Sequence, residues 1–293
     1  MKKTAEGLKV GVFTILADMS SGDPAVVAKR AEELGFYSYW VPEHAVIPEG
    51  SADDYPGRPP GGDVPAYLFK IPDPLIALAR ASATTSTIEL GTGIALVPER
   101  PALLGAAEIA SLDHYSGGRF LYGIGAGWNE PECTVLGGDF DHRWTQTKEY
   151  IMAMKACWTG EYVEHHGKYV DFDRLIVQPA PARKPHPPIL LGSIGSPRVY
   201  KRCAQWGDGW LPFVMDPQEI ADGRAEIDKY CKELGRDPKE VEIIAFAANG
   251  CFRKKDELKA LADAGADGVV LWCEKNTEAD TLAELEAIAG DAF

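Results

Sequence analysis

Three short stretches of this sequence combine residue types that could do chemistry. Glu43-His44 joins a carboxylate to the one side chain whose unperturbed pKa, about 6.5, lies near neutrality. Such a pair suits general acid–base catalysis or contact with a cofactor. The alternative is a histidine on a partly exposed loop. Gly192-Ser193-Ile194-Gly195-Ser196 precedes a segment carrying Arg198, Lys201 and Arg202. Free backbone N–H groups at a helix start favour an anion, and small residues let a phosphate come close. The competing reading is an ordinary strand-to-helix turn with Ser196 as N-cap. Gly91-Thr92-Gly93 lies inside an apolar run that continues to Ile94. Glycine within a strand marks a bulge or the close approach of another group, so this is either a wall for a flat ring or tight packing.

A fourth stretch, Gly125-Ala126-Gly127-Trp128-Asn129-Glu130, follows an apolar run and lacks the full GxGxxG spacing of a dinucleotide site. No HxH, HExxH or CxxC spacing supports a metal, and GSIGS has isoleucine where a nucleophile elbow needs serine. Of the remaining histidines, His165 and His166 are expected in a solvated hairpin and His114 at a helix end. His142 and His186 are candidates for lining a substrate pocket.

These stretches must be positioned by regular elements. Apolar, β-branched runs at 9–16, 37–41, 88–96, 119–124, 189–191, 209–213, 241–247 and 268–272 read as buried strands. The seventh is expected to end near Asn249-Gly250. Helical segments follow at 24–34, 74–86, 101–115, 144–158, 196–206, 217–234, 256–264 and 278–289. Asp23-Pro24 and Asp73-Pro74 carry a favoured N-cap followed by proline at the first helical position, and Gly35 stands where a left-handed C-terminal residue belongs. Eight strand–helix units imply the α/β class, a closed parallel (β/α)₈ TIM barrel, as one domain over 1–293. Two stretches break the rhythm. Residues 42–72, rich in proline and glycine, form a long loop after strand two that reads as a lid. Residues 126–188 form an insertion between strands four and five, with a helix, a hairpin (162–163 with 169–171) and a proline-rich end. In such a barrel the active site lies at the C-terminal ends of the strands, where all four stretches fall.

Composition excludes several classes. The net charge is −14 with only short Lys/Arg runs, which argues against nucleic acid or anionic membrane as a partner. No run approaches the roughly 18 apolar residues of a membrane span. Without a signal-like start or paired cysteine spacing, the six cysteines are expected as reduced thiols of a cytoplasmic protein.

The stretches AEELGFYSYWVPEH (31–44), SGGRFLYGIGAGW within 72–130, EYIMAMKACWTGE (149–161) and GDGWLP within 185–212 resemble the luciferase-like monooxygenase superfamily, most closely its coenzyme F420-dependent oxidoreductase branch. The resemblance covers most of 8–213. It implies a barrel with an insertion and a cofactor ring at the barrel mouth. Thr92, Gly93 and Ile94 match the strand-three bulge, often with a non-proline cis peptide, that supports the ring. His44 and Glu43 match the catalytic acidic-residue–His pair beside it, with Glu43 setting the orientation of His44. Gly125, Gly127, Trp128 and Asn129 match cofactor contacts after strand four, and Gly192, Ser193, Ile194, Gly195 and Ser196 match the phosphate-binding turn. Sugar-phosphate dehydrogenases of the superfamily carry a catalytic glutamate where this chain has Ala126, and a tryptophan where it has Pro48, so that substrate class is not expected.

The function implied is hydride transfer between F420 and a small organic substrate. The alternative is an FMN-dependent monooxygenase using reduced flavin and oxygen, with a flavin reductase as partner. A catalytically silent barrel is a third reading, against which Glu43, His44 and the Gly-Thr-Gly run speak. A homodimer is expected, with the apolar run 103–112 as one candidate face.

Overall fold

Aspartate followed by proline recurs at helix starts, and each copy caps as its chemistry dictates. In the computed structural model, Asp23 Oδ1 accepts from the Ala25 N–H at 2.9 Å, Asp73 Oδ1 from Ile76 at 2.9 Å and Asp216 Oδ1 from Gln218 at 2.9 Å. The structure describes residues 1–4, 7–16, 22–58, 62–247, 250–275 and 277–293. The expected strand end at Asn249 lies outside the described residues.

The strands are β1 (Lys9–Phe13), β2 (Ser38–Val41), β3 (Glu89–Thr92), β4 (Ala95–Leu96), β5 (Phe120–Gly125), β6 (Val163–His166), β7 (Asp171–Leu175), β8 (Ile189–Gly192), β9 (Gly209–Leu211), β10 (Phe213–Val214), β11 (Glu242–Ala247) and β12 (Gly268–Trp272). The helices are α1 (Pro24–Leu34), α2 (Pro74–Ser82), α3 (Ala102–Ser116), α4 (Glu130–Val135), α5 (Arg143–Cys157), α6 (Pro197–Trp206), α7 (Pro217–Leu234), α8 (Lys255–Asp263) and α9 (Glu278–Ala292). Apart from the β6–β7 hairpin, the strands pair in parallel and close on themselves. β1 pairs with both β2 and β12, with Gly11 opposite Ser38 and Lys9 opposite Gly268. At the far side β9 pairs with β8 and with β11. The result is the eight-staved (β/α)₈ barrel that the alternation implies.

Two of the staves are broken, the third where the glycine run and the resemblance place a bulge, the sixth within a run read as one strand. The third splits into β3 and β4 around a cis peptide bond between Gly93 and Ile94. The sixth splits around Pro212, which has no N–H to donate. The barrel interior is filled by Phe13, Trp40, Leu121, Leu190, Leu211, Ile244, Phe246 and Val270. A larger apolar shell joins the strands to the helices. Alternating strand side chains therefore serve two cores, which is why the strands read as unbroken apolar runs.

The region 126–188 is less of an insertion than expected. Its helix α5 packs against α3 and so serves as the barrel's fourth helix. The additions proper are α4 and the antiparallel hairpin, which pairs His166 with Asp171. The loop 42–72 is also more regular than expected, with 3₁₀ turns at Ser51–Asp54 and Ala66–Lys70. Of the apolar run on α3, Ala106, Ile109, Ala110 and Leu112 face the barrel, while Leu104 is exposed. Among the described residues no helix is long and apolar enough to cross a membrane.

Candidate active site

At the C-terminal end of the barrel lies a cavity of about 500 Å³. Its walls come from strand ends and from the long loop. Phe13, Ile15, Phe246 and Trp272 form one side, and Tyr55, Tyr67, Leu68 and Ile71 of the loop form another. Glu43, His44, Gly93, Ile94, Gly127, Trp128, Gly192, Ser193 and Ile194 also line it, so nine of the residues singled out from sequence share one cavity.

His44, one of the polar side chains lining the cavity, packs against Glu132 and is largely buried. Its Nδ1 stands 2.7 Å from Glu132 Oε2, and the Trp128 indole N–H donates to its Nε2 at 3.2 Å. Indole nitrogen can only donate, so in this arrangement Nε2 accepts and the imidazole proton sits on Nδ1 facing the carboxylate. A carboxylate behind one nitrogen steadies the ring, while the other nitrogen is held by Trp128, which lines the cavity beside His44. Glu132 Oε1 also accepts from the Val46 N–H at 3.4 Å, tying the loop to the same pair.

The expectation that Glu43 orients His44 is therefore corrected. Glu43 turns the other way, accepting from the Leu96 N–H at 2.6 Å and from Arg100 at 2.8 Å. Arg100 also donates to Asp73 and Glu108. Burial pushes the Glu43 carboxyl above its ordinary range, and Arg100 opposes that push. Adjacent residues leave a strand end in different directions, so neighbours in sequence need not meet.

Other expected site residues take supporting positions. Thr92 is buried and its hydroxyl donates to the Gly123 carbonyl at 2.7 Å. Gly125 and Gly192 make room for Ile94: a Cβ would stand 2.2 Å and 2.6 Å from that side chain. Gly195 packs against Tyr200 and Trp210. Ser196 caps α6 by accepting from the Val199 N–H, so its hydroxyl is already engaged. Asn129 caps α4 and donates to Ser51 Oγ at 2.9 Å, which keeps it off the cavity wall. His142 and His186 do not line the cavity; they bond Asp139 and the Pro187 carbonyl.

Sequence reasoning missed Glu132, Glu99, Arg143, Trp144 and the two loop tyrosines. Asn129-x-x-Glu132 carries the capping-box signature, which would have placed Glu132 in a first helical turn but not against His44. Among the described residues no group of three or more His, Cys, Asp or Glu could hold a metal.

Comparison with known proteins agrees with this architecture. A family model described as luciferase-like monooxygenase matches residues 20–289. The chain belongs to that family. An uncharacterized Mycobacterium tuberculosis protein is 33% identical over 273 residues, covering 91% of this chain and 92% of the relative. The 5,10-methylenetetrahydromethanopterin reductase of Methanolobus tindarius is 29% identical over 81% of this chain and 63% of its own length. An FMNH2-dependent dimethylsulfone monooxygenase of Pseudomonas putida is 28% identical over 50% of this chain and 40% of its own. Among solved structures, monooxygenase RslO1 of Streptomyces bottropensis superposes with a TM-score of 0.77 at 20% identity, covering 97% of this chain and 98% of that one. The coenzyme F420-dependent tetrahydromethanopterin reductase of Methanopyrus kandleri gives 0.70 at 19% identity with the same coverage. Family membership makes the protein a luciferase-like oxidoreductase, with relatives that use either cofactor type.

The glycines beneath Ile94 yield a first prediction. Gly125→Ala is expected to push Ile94 into the cavity and weaken binding of the cofactor about tenfold, an overpacking cost of about 1.4 kcal/mol. Fluorescence titration with F420 and with FMN measures this. Adding Ile94→Val should restore affinity, and an unchanged affinity in Gly125→Ala would remove Ile94 from the ring contact.

Proposed function

We propose that the protein transfers a hydride between coenzyme F420 and a small organic substrate. The observation that carries this reading is the His44–Glu132 pair opening on an apolar cavity with room for a flat ring and a small molecule. The M. tindarius reductase, which matches four-fifths of the chain, supports the reductase branch. Bound F420 would supply or accept the hydride. It would rest against Gly93 and Ile94, near Gly127 and Trp128, with its phosphate toward Gly192–Ser196 at the start of α6. At that helix start Pro197 brings no N–H and the Val199 N–H is held by Ser196 Oγ, so the phosphate would draw on the Arg198 N–H and on the small residues of the turn.

The chain's own residues handle the proton. When an alcohol is oxidised, its hydroxyl proton passes to His44 Nε2 as hydride leaves the carbon, and carbonyl reduction returns it. A substrate hydroxyl takes the place of the Trp128 N–H at Nε2. Glu132 holds the imidazolium that results. Tyr55, Tyr67, Leu68 and Ile71 cover the site from the loop and exclude water, which strengthens these interactions. A homodimer and a lid action of residues 42–72 belong to the same reading.

A second reading is an FMN-dependent monooxygenase supplied by a flavin reductase, and the match to the dimethylsulfone monooxygenase favours it. Binding titrations separate the two. Tight F420 binding with negligible FMN binding is the expected result, and the reverse outcome replaces the first reading by the second.

A further inference from the structure

Glu99 is a buried acid that this reaction scheme leaves without a task. It ends the 3₁₀ turn Val97–Glu99 between β4 and α3 and is only 9% exposed. Neither carboxyl oxygen has a hydrogen-bond partner. Oε1 stands 2.8 Å from where a Cβ on Gly127 would lie, so the carboxyl rests against the glycine that lines the cavity beside Trp128. Facing it are Glu132 and Cys133 of α4 and Glu43 from the end of β2. Arg143, at the start of α5, donates instead to the Gly127 and Phe140 carbonyls. Arg100, next in the chain, is engaged by Glu43, Asp73 and Glu108.

A buried acid with no partner and two carboxylates for neighbours has only one inexpensive state, the protonated one. We propose that Glu99 is a neutral carboxylic acid that acts as a positioning residue for proton exchange at His44. While neutral, it adds no charge of its own beside the Glu132–His44 pair. When Glu99 loses its proton to solvent, a second negative charge appears beside Glu132, and His44 holds its own proton more tightly. Burial first, then Glu132 and Glu43, push the Glu99 carboxyl up to about 9, so at neutral pH the pair works against a single charge. The proposal rests on the reading of His44 as the group that handles the proton. It accounts for the retention of an otherwise costly group, since perturbed acids gather at functional sites.

The test uses the full chain without added cofactor. Infrared spectra from neutral to alkaline pH should show the C=O stretch of a protonated carboxylic acid at neutral pH. It should bleach with a midpoint near pH 9 and be missing from Glu99→Gln. Absence of the band in the wild type, or its persistence in the variant, overturns the proposal. The ring-nitrogen shifts of His44 should bend at the same midpoint, lose that inflection in Glu99→Gln, and keep a displaced one in Glu99→Asp. A wild-type His44 signal that is flat through this range also overturns it, whether or not the variants fold. Neither readout depends on which cofactor binds. Failure of the F420 reading leaves both intact, and failure here leaves hydride transfer standing.

Discussion

Replacing His44 with alanine is expected to lower kcat/KM by about 10²–10⁴, the usual contribution of a positioned acid or base. The geometry predicts a loss in chemistry together with a smaller loss in folding stability. His44 makes two side-chain hydrogen bonds, to Glu132 and Trp128, and neither belongs to the barrel core. Its removal leaves the fully buried Glu132 carboxyl with only the long contact to Val46, so the unfolding midpoint should fall as well. Steady-state rates with any alcohol or ketone that turns over, together with the unfolding midpoint, check both halves. A loss below about tenfold would remove His44 from proton transfer, since that is less than a general acid or base ordinarily supplies. Glu132→Gln should cost less, because the amide still holds the ring but no longer stabilises its charged form.

The second large effect concerns stability. Arg100→Met keeps an unbranched apolar stem but removes the guanidinium from Glu43, Asp73 and Glu108. Asp73 and Glu108 are about a third exposed, so water screens much of their contribution. Glu43 is only 7% exposed and would keep just the Leu96 N–H. Breaking a buried pair by removing one partner costs about 3–5 kcal/mol. The pH dependence has a definite sign. Burial already raises the Glu43 carboxyl, and loss of Arg100 raises it further. A carboxyl raised on folding binds more protons folded than unfolded, so stability falls as pH rises through the window above its ordinary value. Urea unfolding should therefore show a smaller penalty at about pH 5 than at about pH 8, where the buried carboxylate would have to stay charged. An equal penalty at both would mean that Glu43 is not the group left uncompensated. Since Glu43 also holds the Leu96 N–H beside the strand-three break, cofactor affinity should fall along with stability.

The barrel was legible because its signals are local. Asp23-Pro24 and Asp73-Pro74 announce helices within a few residues, and each strand is a short apolar run buried on both faces. The break in the third stave was suggested by Gly91-Thr92-Gly93, although Gly91 turned out to accommodate the Trp40 indole and only Gly93 reached the cavity. The loop 42–72 was recognised by composition, but Tyr55 and Tyr67 could not be assigned to the site because proline and glycine carry no periodicity from which to place them.

Residue order alone determined the eight-fold alternation, and hence the barrel end at which His44, Gly93, Trp128 and Ser193 gather. It also singled out Glu43 and His44 as titratable groups there. Tertiary structure alone decided which acid serves it. Glu43 is its chain neighbour yet pairs with Arg100, while Glu132, 88 positions away, supplies the contact. The reason is geometric. Chain proximity sets where a backbone goes, whereas the partner of a buried charge is selected by whichever elements the closed barrel brings side by side.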